Sequence, residues 1–306
     1  MFGFKKETVP EWASVMKEKE YTLFMSAIDG YFKHTGEQYS IGDGIVSLGE
    51  NEWECGLFNL IQICAQNKPK EYAGIIEQHF GRLIEVKAFK DKLDPADFEK
   101  MKQYVAVRLY DIGYINSAGE DNMIRRPFAG EVYAALVYDF PHAIENIKKS
   151  EFEAWGKTED ELFAIGIENI FNNYPMEVAE SKFDDEKDDK IFIVETEHFF
   201  APNILFKLEE RKELIGKHGA IIGIPTRHVA LIYSINDMGV LVALTTFFSL
   251  IPRFYTNGPG SLTREIYWYH DGLYEKLDYE PGEKPKFTPS EEFLALLNGG
   301  LEQVQK

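Results

Sequence analysis

The sequence has few of the features that mark a secreted, membrane-spanning or zinc-finger protein. Only two of its 306 residues are cysteines, Cys55 and Cys64, and they lie nine positions apart. A disulfide framework needs more cysteines, and a zinc site needs closer pairs with further ligands, so we interpret both as ordinary small apolar side chains. The longest apolar stretch, residues 238–251, is too short to cross a bilayer, and the N-terminus lacks the order of a signal peptide. We therefore expect no membrane partner and, by default, a cytoplasmic location.

Positive charge is also scarce. The chain has 33 lysines and arginines against 51 aspartates and glutamates, which gives a formal net charge of −18. The adjacent basic residues form pairs, such as Lys148-Lys149 and Arg125-Arg126, and no larger cluster is visible. A surface this acidic repels phosphate backbones, so we expect no nucleic-acid partner.

The common catalytic and nucleotide-binding motifs are absent. The chain has no Gly-x-x-x-x-Gly-Lys-Ser/Thr phosphate-binding loop, no Gly-x-Gly-x-x-Gly, no Gly-x-Ser-x-Gly and no His-Glu-x-x-His. Seven histidines are scattered, and the densest metal-like group is Glu195-Thr-Glu197-His198. On an extended strand the two glutamates share a face and His198 points away, so a strand end meeting solvent is the favoured interpretation. We expect no metal and no cofactor.

What the sequence does contain is a well-patterned core, with 44% hydrophobic and 14% aromatic residues. Apolar periodicity, caps and turns predict a helical N-terminus and further helices between short strands. The first predicted helical region covers residues 12–36, and a pair of helices follows that is interrupted at Pro69 and ended by Gly81. One later helix starts at the capping box of residues 158–161, and another covers residues 203–215. Of the last two, one covers residues 237–251, with Pro252 as the stop, and the other begins at the capping box of residues 288–291. The predicted strands cover residues 40–48, 52–57, 105–112, 132–138, 191–195, 220–224, 229–235, 265–270 and 273–277. Because hairpins and helices mix without strict alternation, we predict an α+β fold with largely antiparallel sheets packed against helices.

The strongest candidate for a domain boundary is the charged run at residues 184–189. We interpret it as a solvated loop, because it has neither the oxygen spacing nor the glycine of a calcium loop. It would separate an N-terminal helical segment with a first α+β sub-domain, residues 1–183, from a second α+β sub-domain, residues 184–306. One continuous domain is the alternative.

A series of loose motifs in fixed order resembles a known family. The motifs are Arg-Pro-Phe-Ala-Gly-Glu-Val at 126–132, Asp139-x-Pro141, Gly156-x-Thr158, residues 162–169, the strand pair around Pro225, the helix after Asn236-Asp237 and the final aromatic hairpin. Their order and spacing over roughly residues 40–277 resemble the YtpQ-like family of bacterial proteins. The resemblance implies an α+β fold and supplies no mechanism, because the family has no established activity or ligand.

Two positions depart from the family's pattern. Gly166 stands where a small alanine is common, which we expect to matter little. His228 stands where an acidic residue is common after the Pro225 turn. If that acid were catalytic across the family, this chain would lack it.

Two loops that follow apolar strands carry the candidate catalytic residues. Asp139-x-Pro141-His142 and Pro225-Thr-Arg227-His228 both lie where a sheet often presents polar groups to a cleft. If the loops met, Asp139, His142 and His228 would supply an acid and a base, and Arg227 would hold an anion. The alternative is that Asp139 precedes a simple turn and that Arg227 and His228 lie on an exposed hairpin loop.

Two further features are candidates for a binding surface. Tyr267, Trp268 and Tyr269 alternate along a predicted strand, so one face of this aromatic hairpin lies outside the core unless the C-terminal helix or a second subunit covers it. On the helix 237–251 and just after it, a polar stripe of Thr245, Thr246, Ser249 and Arg253 would line a groove or face water.

The leading hypothesis is therefore a non-catalytic binding or protein-interaction module. It rests on the missing catalytic motifs and the aromatic hairpin, and it predicts a protein partner or a homo-oligomer. The alternative is a hydrolase that uses Asp139, His142, Arg227 or His228. Absent motifs are weak grounds against catalysis on an unfamiliar fold.

Overall fold

The helices and hairpins are distributed over two units, Met1–Lys92 and Leu93–Lys306. The computed structural model describes residues 9–48, 53–119, 122–182, 190–280, 282 and 285–301. The charged run at 184–189 and the turn at 49–51 lie outside these residues. The predicted α+β class with a helical N-terminal region and antiparallel sheets is confirmed.

The first unit packs three helices with a small sheet. Its elements are α1 (Glu18–Thr35), β1 (Tyr39–Gly42), β2 (Ile45–Leu48), β3 (Trp53–Gly56), α2 (Phe58–Ala65) and α3 (Tyr72–Lys90). The three strands form an antiparallel sheet in the order β1-β2-β3. Phe24, Ile28 and Phe32 from α1 bury against Ile76 and Phe80 from α3. These side chains recur at three- and four-residue spacing, so each helix presents one apolar stripe to the shared core.

The helix end predicted from Gly36 in the first unit is confirmed, but the one predicted from Gly81 is wrong. Gly36 adopts a left-handed conformation and ends α1, as predicted. The single strand predicted over 40–48 is instead a hairpin, because Asp43 and Gly44 both take positive φ and turn the chain. The predicted stop at Gly81 is wrong, since α3 continues through it to Lys90. A helix-interior glycine costs only about 1 kcal/mol relative to alanine, and the rest of α3 outweighs that cost.

The second unit contains eleven strands among its described residues, in two antiparallel sheets. The elements are α4 (Phe98–Met101), β4 (Val105–Asp111), α5 (Ile112–Ala118), β5 (Arg125–Ala129), β6 (Val132–Phe140), β7 (Ala143–Asn146), α6 (Lys149–Trp155), α7 (Glu159–Asn173), β8 (Ala179–Lys182), β9 (Lys190–Glu195), β10 (Ala220–Thr226), β11 (Val229–Ser234), α8 (Val240–Asn257), β12 (Ile266–His270), β13 (Leu273–Glu280), β14 (Lys286–Thr288) and α9 (Glu291–Ala295). The larger sheet has the order β14-β13-β12-β10-β11-β9-β8, and β6 pairs with β4, β5 and β7 in the smaller one. Since β8 and β9 pair with each other, the predicted division at residue 183 falls inside a hairpin.

Helices cover one face of the seven-stranded sheet. Phe247 and Ile251 of α8 and Phe293 of α9 are fully buried with Leu231 and Trp268 of the sheet. On the opposite face, Tyr267 reaches the smaller sheet, where its hydroxyl donates to the carbonyl of Ala129 at 3.2 Å. These two layers of packing explain why β10 is buried along its whole length.

The smaller sheet is covered by α7, which starts at the predicted capping box. Thr158 accepts from the amide of Glu161 at 3.2 Å, and the Glu161 carboxylate accepts from the amide of Thr158 at 2.8 Å. Gly166 brings α7 close to β4, because a Cβ there would lie 2.9 Å from the carbonyl carbon of Ala106. An alanine at this position, as the resemblance suggests, would require α7 or β4 to shift.

Three predicted helix boundaries in the second unit are wrong. The region predicted as a helix over 203–215 forms 3-10 turns, Ala201–Glu210 and Lys212–Leu214. The helix α8 continues past Pro252 to Asn257. The last helix is capped by Ser290, which accepts from the amide of Phe293 at 3.1 Å, and not by Thr288.

Candidate functional site

One pocket of the described residues lies at one end of the seven-stranded sheet. It has a volume of about 680 Å³ and is bordered by the end of β9, the turn between β10 and β11, and the C-terminal half of α8. Pockets of roughly 300–1,000 Å³ are typical of small-molecule sites in proteins. All three bordering elements belong to the second unit, and the sheet register holds them together.

The floor of the pocket is apolar. Val229 is buried at the start of β11, and Leu250 and Phe254 are half-buried on α8. The amphipathic pattern of α8 explains this position: Phe247 and Ile251 enter the core, and the next side chains around the helix reach its edge. The pocket therefore offers an apolar surface next to solvent.

Charged side chains of both signs surround this floor. Glu195 and Glu197 stand at the end of β9, and Arg253 stands on α8; all three are exposed. Among the described residues, no ion pair includes any of them. Of the polar stripe predicted on this helix, Arg253 lines the pocket, whereas Thr245 and Thr246 bond carbonyls of their own helix, those of Leu241 and Val242.

His228 is the one predicted catalytic residue that lines the pocket. Its Nδ1 lies 3.0 Å from the carbonyl oxygen of Thr196, and a carbonyl only accepts, so Nδ1 carries the proton. Nε2 is then the acceptor of the neutral ring, and no described residue donates to it. The backbone amide of His228 donates to Oγ1 of Thr226 at 3.2 Å, which fixes the turn. The arrangement presents one hydrogen-bond acceptor of fixed tautomer.

Arg227 precedes His228 and does not line the pocket. Its Nε donates to the carbonyl of Gly260 at 3.4 Å, and its backbone amide donates to the same oxygen at 2.9 Å. The guanidinium therefore ties the β10–β11 turn to the segment after α8. Its predicted role as an anion holder has no geometric support at the pocket.

Asp139 belongs to a different group of side chains, on β6 of the smaller sheet. The hydroxyl of Tyr174 donates to its Oδ2 at 2.6 Å. Burial raises the pKa of the Asp139 carboxyl, while the Tyr174 hydrogen bond and the charge of Arg108 act to lower it. Arg108 is itself buried, with its guanidinium 4.9 Å from the ring centre of Tyr110 and 5.2 Å from that of Phe199. Asp139 is thus a partly buried structural carboxyl and does not line the pocket.

His142 is exposed in the two-residue turn between β6 and β7. It follows Pro141 and takes a φ of 67°, a conformation that most residues avoid at the third position of such a turn. Neither His142 nor Asp139 lines the pocket that His228 borders. The four predicted catalytic residues therefore do not form one cluster around it.

The Glu195-Thr-Glu197-His198 group does not converge on an ion. Nδ1 of His198 accepts from the amide of Phe200 at 3.2 Å, and Nε2 lies 3.4 Å from the carbonyl of Pro175. Both ring nitrogens are therefore engaged. Burial lowers the pKa of His198 and outweighs the contact with the carbonyl of Pro175, which acts to raise it.

The aromatic hairpin is buried inside the second unit. Tyr267, Trp268 and Tyr269 are at most 5% exposed. Trp268 packs edge-on against Phe293 of α9, with ring centres 5.0 Å apart, so the C-terminal helix covers it. This is the plain alternative that the sequence leaves open, and it removes the three aromatic side chains from the surface that a partner would meet.

Comparisons with known proteins identify no relative of this chain: no family model, no curated protein and no solved structure matches it. The resemblance to the YtpQ-like family stays a prediction. Within the part of the chain that the structure describes, no helix combines the length and apolar character needed to cross a membrane.

Sequence reasoning missed most of the pocket. It weighed Glu195 and Glu197 as metal ligands against a strand end that meets solvent, and it did not single out Leu250 or Phe254. Two signals were useful. His228 follows a buried strand, and strand ends are where a sheet opens to solvent; Arg253 belongs to the polar stripe predicted to line a groove or face water. The other lining residues could not be connected from the sequence, because β9 and α8 lie far apart along the chain.

Proposed function

We propose that this protein is a non-catalytic binding protein that takes a small zwitterion with an apolar side chain, such as an apolar amino acid or a short apolar peptide. The observation that supports the proposal is the lining of the pocket: two carboxylates and one guanidinium, without ion pairs among the described residues, around an apolar floor. A ligand of this class satisfies both signs of charge and covers the floor.

The carboxylates favour a cationic group. Glu195 ends β9, Glu197 follows two positions later, and both line the pocket, so one ammonium group bound there would donate hydrogen bonds to both carboxylates. The acceptor Nε2 of His228 adds a third position for a donor. Arg253 is the only cation of the lining that is always charged, and its planar guanidinium matches a carboxylate.

The volume favours a ligand with a substantial apolar side chain. About 680 Å³ holds an amino acid or a dipeptide and is more than a single inorganic ion needs. Contact with Leu250, Phe254 and Val229 removes apolar surface from water, which contributes about 25 cal/mol for each Å² buried.

A hydrolase is the second candidate function, and His228 is the residue that supports it. With Nδ1 bonded to a backbone carbonyl, Nε2 has the tautomer of a general base facing the pocket. Asp139, His142 and Arg227 do not line the pocket and so give His228 no catalytic partner in it. The hydrolase would therefore depend on His228 alone, acting on a bound water. Hydrolysis of a dipeptide that His228→Ala abolishes, while the variant still binds it, would favour the enzyme.

The direct test is calorimetric titration with matched ligands. We expect L-leucine, L-phenylalanine and L-leucyl-L-phenylalanine to bind, and 3-methylbutylamine and 4-methylpentanoate, which each lack one charged group, to bind about 10-fold or more weakly. A thermal shift with the same compounds gives an independent readout, because a ligand of the native state raises its unfolding temperature.

Substitutions assign binding to the pocket. Arg253→Gln should weaken binding of the zwitterions about 10-fold and leave binding of 3-methylbutylamine unchanged. The double variant Glu195→Gln/Glu197→Gln should also weaken binding of the zwitterions, and it should leave binding of 4-methylpentanoate unchanged. Arg264→Gln and Glu210→Gln are matched exposed controls outside the lining. If none of the compounds binds, or if the control variants weaken binding as much as the pocket variants, the proposal is wrong.

The remaining expectations belong to this proposal and have no separate support. They are membership of the YtpQ-like family, a cytoplasmic location, the absence of a nucleic-acid partner, and a protein partner or homo-oligomer. A partner would have to use a surface other than the buried aromatic hairpin. Sedimentation of the purified protein would test self-association directly.

A further inference from the structure

Three potential metal ligands meet where α9 crosses the β12–β13 hairpin. His270 ends β12, Glu275 lies on β13, and Glu292 is on α9. One ligand atom from each of these side chains lies within 4.8 Å of the others. His270 pairs with Leu273 in the antiparallel register, so Glu275, two residues further along, is its diagonal neighbour on the same face of the sheet.

One oxygen of this group has no hydrogen-bond partner. Oε1 of Glu275 is buried, and no donor reaches it among the described residues. A buried acceptor without a partner costs free energy, more so on a charged group, and a cation bound at this point would satisfy it. This orphaned carboxylate oxygen is an observation independent of the spacing of the three side chains.

The surrounding packing holds the ligands in place. The imidazole of His270 stacks on Trp268 with ring centres 3.7 Å apart, and Nε1 of Trp268 donates to the carbonyl of His218 at 2.9 Å. Phe293, next to Glu292, packs against the same Trp268 ring. Ligands fixed by rigid neighbours lose little entropy on binding an ion.

The distances suit a small divalent cation. Nε2 of His270 lies 3.3 Å from Oε2 of Glu275, which matches the separation of about 3.3 Å that bonds of about 2.0 Å make at a tetrahedral zinc ion. Oε1 of Glu292 lies 4.0 Å from Nδ1 of His270, and its side chain is 67% exposed. Nδ1 is not the ring nitrogen that faces Glu275, and one ion binds only one of the two nitrogens, so the exposed Glu292 side chain would rotate toward Nε2 to complete the ligand set.

We propose that His270, Glu275 and Glu292 form a binding site for a divalent transition-metal ion, with Zn²⁺ as the best fit. One imidazole and two carboxylates are ligands that zinc accepts, and they leave a fourth position for water or a ligand. His270 and Glu292 also border a second pocket of about 690 Å³, which gives that position access to solvent. Asp271 adds negative charge nearby, with Oδ2 3.8 Å from Nδ1 of His270.

The site is separate from the zwitterion pocket, and no residue borders both pockets. Sequence analysis predicts no metal, because the ligands at 270, 275 and 292 have no motif spacing. The hairpin register and the position of α9 bring them together. The two proposals therefore stand or fall independently.

The test is calorimetric titration of Zn²⁺ into the full-length, chelator-treated protein. We expect one saturable site, which His270→Ala and Glu292→Gln each weaken at least 10-fold. Glu291→Gln is the matched control, because it removes the same charge from the adjacent exposed residue of the same helix turn. His34→Ala, an exposed histidine of the first unit, controls for adventitious binding.

A second readout uses the stacked tryptophan. Co²⁺ bound by His270 should quench the fluorescence of Trp268, and the quenching should disappear in Trp268→Phe and in Glu292→Gln. Because Glu292 is exposed, its variant keeps the test valid if His270→Ala fails to fold. The absence of saturable Zn²⁺ binding, or equal weakening by Glu291→Gln and Glu292→Gln, would overturn the proposal.

Discussion

The hydroxyl of Tyr174, just beyond α7, donates a 2.6 Å hydrogen bond to Oδ2 of Asp139 on β6. The bond joins the covering helix of the smaller sheet to that sheet, and it gives a partly buried carboxylate its donor. The ring of Tyr174 also lies against His198, with ring centres 4.8 Å apart. Tyr174 therefore links Asp139 to the segment that follows β9, without placing the carboxylate in the pocket.

Removing this donor should destabilise the protein. We expect Tyr174→Phe to lower the free energy of unfolding by about 1–3 kcal/mol, because the carboxylate loses its partner while staying partly buried. Chemical unfolding followed by circular dichroism measures the loss. Tyr31→Phe is the control, since no described residue bonds its hydroxyl; an equal loss in both variants would contradict the expectation.

The Asp139 carboxyl should also make stability depend on pH. Its pKa is raised in the folded state, mainly by burial, so the folded protein favours the protonated form. The stabilising contribution is present below the unfolded-state pKa and is lost as the pH rises through the folded-state pKa. Asp139→Asn cannot ionise, so its unfolding midpoint relative to wild type should be higher at pH 7 than at pH 3.5. The same difference at both pH values would rule this out.

The cap of α9 distinguishes the observed helix start from the predicted one. Ser290→Ala should cost about 0.5–2 kcal/mol, because the amide of Phe293 loses the oxygen that caps it. Thr288→Ala removes a hydroxyl from the position favoured by the sequence and should change stability little. Thermal unfolding of the two variants measures the difference, and a larger effect at Thr288 would contradict the observed cap.

Phe293 should be essential for covering the aromatic hairpin. The side chain is fully buried, so Phe293→Ala is expected to cost about 3–5 kcal/mol. Because Phe293 packs on Trp268, the emission of that tryptophan should shift to longer wavelength as water reaches the ring. Emission spectra of Phe293→Ala with and without Trp268→Phe assign the shift. An unchanged spectrum would show that another element covers Trp268.

Two helix-interior glycines should respond in opposite directions to alanine. Gly166→Ala should destabilise by about 1–3 kcal/mol, because the new Cβ overlaps the backbone of β4. Gly81→Ala has no atom within 4 Å of its Cβ and should stabilise by up to about 1 kcal/mol. Unfolding free energies measure both changes, and stabilisation by Gly166→Ala would mean that α7 shifts without cost.

Elements with strong local signals could be predicted from the sequence. The capping box at Thr158 starts α7, and Asp271-Gly272 turns the hairpin between β12 and β13, because each signal acts over a few neighbouring residues. Boundaries that depend on packing could not be predicted. α8 continues through Pro252, because burial of its apolar face against β10 outweighs the hydrogen bond that proline removes.

By itself, the sequence determined the α+β class, most strands and the positions after strand ends where polar residues occur. Apolar periodicity and turn chemistry are local, so they can be recognised without knowledge of any long-range contact. Only the tertiary structure decided that His228 joins Glu195 and Arg253 at a pocket while Asp139 does not, and that His270 and Glu275 meet Glu292. Strand register and helix packing bring His228 to Glu195 and Arg253, and Glu292 to the β12–β13 hairpin, across stretches of chain that no local pattern spans.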